Sequence, residues 1–233
     1  MRRNQEKKRW ARAQHGFSFL ELLVTMAILT AVIGVVTDGM MQIQKKSASD
    51  INKIGVAQES RQFMDQILRD LRQAGYPGVG VFDSTTLTNT TTCANDSNTT
   101  ATPKIYAACG LVSFSSTAIQ FEGDVDGSGV SEVYLQAVIP ASGSCPCTVQ
   151  RGTVLKSVGG TPAYYTELDN IMSQNIFTAF KYDGSAYNSA TDSLSSIKNI
   201  GITLYVRNPT PDNNATTVSY PTTTMVSQAR INN

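Results

Sequence analysis

An apolar run interrupted by one acid constrains this chain more than any other feature. From Phe17 to Thr37 it reads FSFLELLVTMAILTAVIGVVT, and Glu21 is the one ionisable residue in those 21 positions. A helix that crosses a bilayer needs about 20 apolar residues. A carboxylate inside such a helix costs on the order of 2.5–3.5 kcal/mol, so its presence calls for a reason. Glu21 lies four residues after Phe17, on the same helix face. If the chain were cut between Gly16 and Phe17, Phe17 would carry an α-amine that is mostly cationic at neutral pH. Glu21 can pair with that amine or with the amine of a neighbouring copy. The second pairing turns a costly residue into an assembly device.

The residues before the run set its orientation. Residues 1–16 carry Arg2, Arg3, Lys7, Lys8, Arg9 and Arg12 against Glu6, a net of +5. A basic head before an apolar helix stays in the cytoplasm and sends the remainder outward. Loss of the head leaves 217 residues with 13 basic and 17 acidic side chains. Beyond a long helix, that length holds one globular domain. A secretory signal peptide has an apolar core of about 7–15 residues and a small-residue cleavage site beyond it. Neither the length of this run nor its acid fits that pattern. A plain membrane anchor explains the length and the head but not Glu21.

The basic head, Gly16-Phe17, Glu21 fifth after the junction and the long apolar run together resemble the N-terminal signal of type IV pilins and pseudopilins. In that family a membrane prepilin peptidase cuts after the glycine and N-methylates the new phenylalanine. The resemblance therefore implies cleavage between Gly16 and Phe17, methylation of Phe17 and an assembly role for Glu21. Ser18 and Phe19 stand where Thr and Leu are commoner, and Asp38 stands about where many major pilins have a kinking proline.

The apolar periodicity continues beyond the run. Ile43, Ile51, Ile54, Ala57, Met64, Ile67, Leu68 and Leu71 recur mostly at spacings of three, four or seven. That is one face of an amphipathic helix. Gly75 before Tyr76-Pro77 is a helix stop. The expected helix, Phe17 to about Ala74, would be about 87 Å long at 1.5 Å per residue. Gly78–Pro103 reads as a Thr- and Asn-rich loop. Strands are expected at Gly110–Ser115, Ala118–Glu122, Glu132–Ile139 (EVYLQAVI), Thr178–Tyr182, Ile197–Arg207 and Thr216–Ile231, the last two as an antiparallel pair. Thr148–Val158 suggests a hairpin, and the Leu168, Ile171, Met172 and Ile176 spacing suggests a short helix within Tyr165–Phe177. One helix followed by many strands predicts an α+β fold with an antiparallel sheet. The expected divisions are a leader at 1–16, a transmembrane and filament-core helix at 17–37, its amphipathic continuation at 38–75, and a β-rich domain at 76–233.

Cys93, Cys109, Cys145 and Cys147 all fall in the exported part. An even count in an oxidising compartment predicts disulfides, and four cysteines allow three connectivities. The single proline in Cys145-Pro146-Cys147 leaves little freedom for those two to bond each other, which favours Cys93 with Cys109. A four-cysteine zinc site fits poorly, because its spacing is usually C-x(2–4)-C.

Little in the sequence points to catalysis. His15 is the only histidine and lies in the leader, which removes Ser-His-Asp, Cys-His and His-zinc arrangements from the exported part. No phosphate-binding or hydrolase signature is present, so no enzyme activity is expected. One stretch could hold a cation. Asp124, Asp126, Ser128, the Val130 carbonyl and Glu132 follow the alternating oxygens of the front of an EF-hand loop, and Gly129 is sixth. Leu135 occupies the twelfth position in place of the bidentate acid. The competing reading is a glycine-rich hairpin turn whose acids are solvated.

The order of segments, a helix ending RDLRQAGY, then FEGDVDGSGVSEVYL, FKYDG, IGITLYVRN and a terminal QARINN, is similar to PilW-type minor pilins. That resemblance implies a non-catalytic filament subunit. Its partners would be the prepilin peptidase, the inner-membrane assembly machinery, and other minor and major pilins met through the N-terminal helix. It would pass from inner membrane to surface pilus. A type II secretion pseudopilin shares much of the plan, and a filament-borne adhesion or DNA-uptake module is a further alternative. The net charge of the exported part, −4, offers no broad attraction to nucleic acid.

Overall fold

The computed structural model describes residues 18–78, 107–211 and 219–231. The leader, Gly16, Phe17, Cys93 and nearly all of the expected Gly78–Pro103 loop lie outside them. Helix α1 spans Phe19–Gln73, and eight strands follow: β1 Leu111–Phe114, β2 Ala118–Gly123, β3 Ser131–Val138, β4 Cys147–Leu155, β5 Ala163–Ile171, β6 Phe177–Lys181, β7 Ile197–Arg207 and β8 Thr222–Arg230. All strand pairings are antiparallel, in the order β1-β2-β3-β4-β5-β7-β6, with β8 also paired to β7. The chain divides into two compact units, Met1–Ala48 and Ser49–Asn233. The α+β class expected from the sequence is the observed one, and the fold is pilin-like.

In the second unit the last turns of α1 supply one wall of the core. Ser60, Phe63, Met64, Ile67, Asp70, Leu71 and Ala74 recur at three or four residues and are buried. They meet Phe121, Val133, Leu135, Val149, Ile200 and Ile202 from the sheet. Each aliphatic side chain buried this fully contributes about 1.5–3 kcal/mol. The stripe read from sequence started too early: Ile43, Ile51 and Ile54 are exposed. Phe63, which that stripe left out, belongs to the core instead.

The helix ends as its residues dictate. Gly75 adopts φ +79°, and Tyr76-Pro77 is a cis peptide. The chain then runs along β2: Gly75 N–H donates to the Glu122 carbonyl at 2.9 Å and Asp124 N–H to the Tyr76 carbonyl at 2.8 Å. The sheet curls until the turn after β1 meets the start of β6. Ile176 and Phe177 both donate N–H to the Ser116 carbonyl, at 2.9 and 3.0 Å. Phe114 and Tyr187 stack edge to face there, with ring centroids 5.6 Å apart.

Two secondary-structure expectations are corrected. Thr148–Val158 is not a hairpin; Cys147–Leu155 is one strand, and Gly152 at its middle makes room for the Tyr164 ring. The stretch expected to be a short helix is strand β5. Leu168 faces Val149 and Ile171 faces Cys147, so β5 holds one more residue than β4 over that interval. Asn170, at φ +59°, lies within it. A bulge therefore puts two residues three apart on one face, the spacing that otherwise marks a helix.

Candidate functional site

In the first unit, α1 from Phe19 through Val36 is apolar and exposed on every side. It is the one described helix long and apolar enough to cross a membrane. Its threonine hydroxyls are satisfied within the helix. Thr25 donates to the Leu22 carbonyl, Thr30 to Met26 and Ala27, and Thr37 to Ile33 and Gly34, each at 2.9 Å. Backbone bonding begins with Leu22 N–H to the Ser18 carbonyl at 3.1 Å. A segment that satisfies its own polar groups can enter lipid. Glu21 is the exception: it is exposed in the first turn and has no partner among the described residues. Placement at the positive end of the helix dipole suits its charge. Gly16 and Phe17, the expected cleavage and methylation residues, lie outside the described set.

The acidic loop forms the turn between β2 and β3. Asp124 Oδ1 accepts N–H bonds from Gly127 at 2.8 Å and Gly129 at 3.3 Å. Asp126 Oδ1 accepts from the Ser128 N–H at 2.9 Å and its hydroxyl at 2.5 Å. These bonds hold the Asp126 carboxyl below the usual carboxylate range, and the nearby Arg151 guanidinium adds to the effect. Val130 is buried at the end of the turn. Glu132 does not face solvent with the two aspartates; it is buried in β3 and accepts a bond from the Tyr134 hydroxyl. Among the described residues no three His, Cys, Asp or Glu side chains gather closely enough to hold a metal ion.

Two buried charge clusters escaped sequence reasoning. Glu122 and Glu132 stand directly opposite on β2 and β3, and both are buried. Glu122 Oε2 accepts from Lys156 Nζ at 2.7 Å and from Cys109 N–H at 2.9 Å, while Lys156 also donates to the Ala107 carbonyl at 3.2 Å. Burial raises the Glu122 pKa above the ordinary glutamate value, and the Glu132 charge adds to the rise, although Lys156 opposes it. Burial and the bond to Glu132 likewise push the Tyr134 hydroxyl up. The second cluster ties α1 to β4. Arg151 grips Asp70 Oδ2 through Nε at 3.0 Å and a terminal nitrogen at 2.8 Å. Nothing local in the sequence marks the segments that cover these clusters.

The cysteine reading needs one correction. Cys145 and Cys147 are bonded to each other, with S–S 2.06 Å. The Cys145–Pro146 peptide is cis, and the two Cα atoms stand 4.5 Å apart, within the span of a disulfide. The sequence reading assumed that the intervening proline keeps them apart. Cys109 is also disulfide-bonded, and its expected partner, Cys93, lies outside the described residues.

Residues 11–37 match the family described as the prokaryotic N-terminal methylation motif. No curated protein and no solved structure matches the chain. The matched segment contains the Gly16-Phe17 junction, Glu21 and the whole apolar run. Taken with the exposed apolar helix, it supports a type IV pilin-like or pseudopilin prepilin.

Proposed function

We propose that this chain is a minor pilin subunit of a type IV pilus, acting by assembly rather than by catalysis. The basic head stays in the cytoplasm while α1 waits in the inner membrane. Prepilin peptidase cuts between Gly16 and Phe17 and methylates Phe17. The helix then leaves lipid for a bundle formed by the helices of other subunits. Glu21 sets its register by meeting the cationic amine of a neighbouring Phe17, which offsets part of the cost of burying a carboxylate. The unit from Ser49 onward faces solvent and contacts other minor pilins, near the filament tip.

One observation carries this reading. In the apolar segment 19–36, whose threonines bond internally, Glu21 is the one ionisable side chain and has no positive partner among the described residues. The test is fractionation of cells bearing wild type or Glu21→Leu into sheared surface filaments and membranes. Wild type is expected in the filaments and the variant in the membranes. Equal recovery of both from filaments would refute the role of Glu21. Recovery of wild type with a secretion complex instead of pili would leave the prepilin reading intact and move the subunit to type II secretion.

A further inference from the structure

Strand β8, Thr222–Arg230, is a sheet edge whose outer side pairs with no other strand among the described residues. It pairs with β7 along its whole length. The alternation of that ladder fixes which way each backbone group points. Asn208 N–H donates to the Pro221 carbonyl, and Ile231 N–H to the Lys198 carbonyl. Odd-numbered residues from 221 to 231 therefore bond inward to β7. Thr222, Thr224, Val226, Gln228 and Arg230 point their N–H and C=O groups outward, and none of these groups has a partner among the described residues. Natural edges of this length usually carry a proline, a lysine or a bulge that blocks pairing. This one reads TTTMVSQAR, has an unbroken register with β7, and leaves Val226 72% exposed at its centre.

We propose that β8 pairs antiparallel with β8 of a second copy, about a two-fold axis at Val226. Three features favour a second copy over an unrelated strand. The centre of the strand is an outward-pointing residue, so in this register every bonded pair joins two outward-pointing residues: Val226 with Val226, Thr224 with Gln228, and Thr222 with Arg230. The same register sets Val226 against Val226 on the exposed face. On the other face it sets Met225 beside Ser227, next to the core that Met225 partly covers. The single charge, Arg230, meets Thr222 rather than its own copy, so no like charges oppose each other. The contact is isologous and closes on itself, as a two-fold dimer requires. A single paired edge buries less than about 1,000 Å². The dimer is therefore weak, better captured by crosslinking than by sizing.

The test uses the full chain in membranes, with wild type as the background for its native cysteines. Cα atoms of a bonded antiparallel pair lie about 5.5 Å apart, within reach of a disulfide. Val226→Cys is expected to give a homodimer under mild oxidation with diamide. Thr222→Cys alone is not, because its counterpart in the second copy lies at the far end of the strand. Thr222→Cys mixed with Arg230→Cys is expected to crosslink. Adding Val226→Pro to that mixture abolishes the crosslink. This proline removes an outward N–H and spares the β7 ladder, the one setting where an edge strand tolerates it. An unchanged melting transition shows that the fold survives. The proposal is overturned if Val226→Cys yields no dimer, if it crosslinks to a different protein, or if the proline variant crosslinks as well as its parent.

Discussion

Replacing Gly123 by alanine tests how α1 is seated on the sheet. Gly123 ends β2 where the chain leaving the helix crosses it, bridged to Ala74. A Cβ built there would lie 2.5 Å from the Gln73 carbonyl oxygen and 3.0 Å from its carbon. Carbon–oxygen contacts settle near 3.3 Å, so one backbone must retreat by about 0.8 Å. Neither side can yield cheaply. The helix end is tied to β2 through Gly75 and Tyr76, and Leu71 and Ala74 are fully buried just behind it. Overpacking of this kind costs about 1–3 kcal/mol. For a cooperative unit of this size each kcal/mol lowers Tm by about 2–4 °C, so a fall of roughly 2–12 °C is expected. Gly201→Ala is the control. Its Cβ would also meet an atom at 2.5 Å, but that atom is the Thr178 hydroxyl, which can rotate away. Thermal melts of both variants in detergent, followed by near-ultraviolet circular dichroism, decide the matter. A Gly123→Ala protein as stable as wild type, beside a strongly destabilised Gly201→Ala, would refute this account of the helix–sheet junction.

Two further outcomes follow from the charged groups. Glu122 binds its proton more readily folded than unfolded, because burial raises its pKa. Its contribution to stability is therefore complete below the ordinary glutamate pKa and is lost as pH rises through the raised value. Glu122→Gln removes that dependence while keeping an acceptor for Lys156. The stability of wild type relative to the variant should fall from acid to neutral pH, and melts at several pH values measure it; a difference that grows toward neutral pH contradicts the assignment. Millimolar calcium is expected to leave Tm unchanged, since Asp124 and Asp126 each bond backbone N–H groups through one oxygen and Glu132, buried in β3, accepts from Tyr134 instead of joining them. A calcium-dependent rise that Asp124→Ala abolishes would establish a site in this turn.

Sequence alone revealed features whose cause is local. The apolar run, the halt at Gly75 and strand β3 follow from composition, a glycine at positive φ and a short stretch rich in apolar, β-branched and aromatic residues. Where distant partners decide, the sequence was silent or misleading. The bulge at Asn170 gave β5 a helical spacing. Cys145 and Cys147 bond each other across the one proline between them. Ile51 and Ile54 continue the helix periodicity, but the core of the second unit does not cover them. Glu122 is a buried acid beside Cys109, which donates to it, and Lys156, which also bonds the Ala107 carbonyl. No pattern within β2 announces that.

The central claim is that proteolysis at the Gly16–Phe17 junction creates the positive partner that makes Glu21 tolerable. Mass spectrometry of the N-terminal peptide, taken from protein sheared off the cell surface, tests it most directly. The account predicts a chain that begins at Phe17 with a methylated amine. Surface filaments that incorporate chains still carrying residues 1–16 would contradict it.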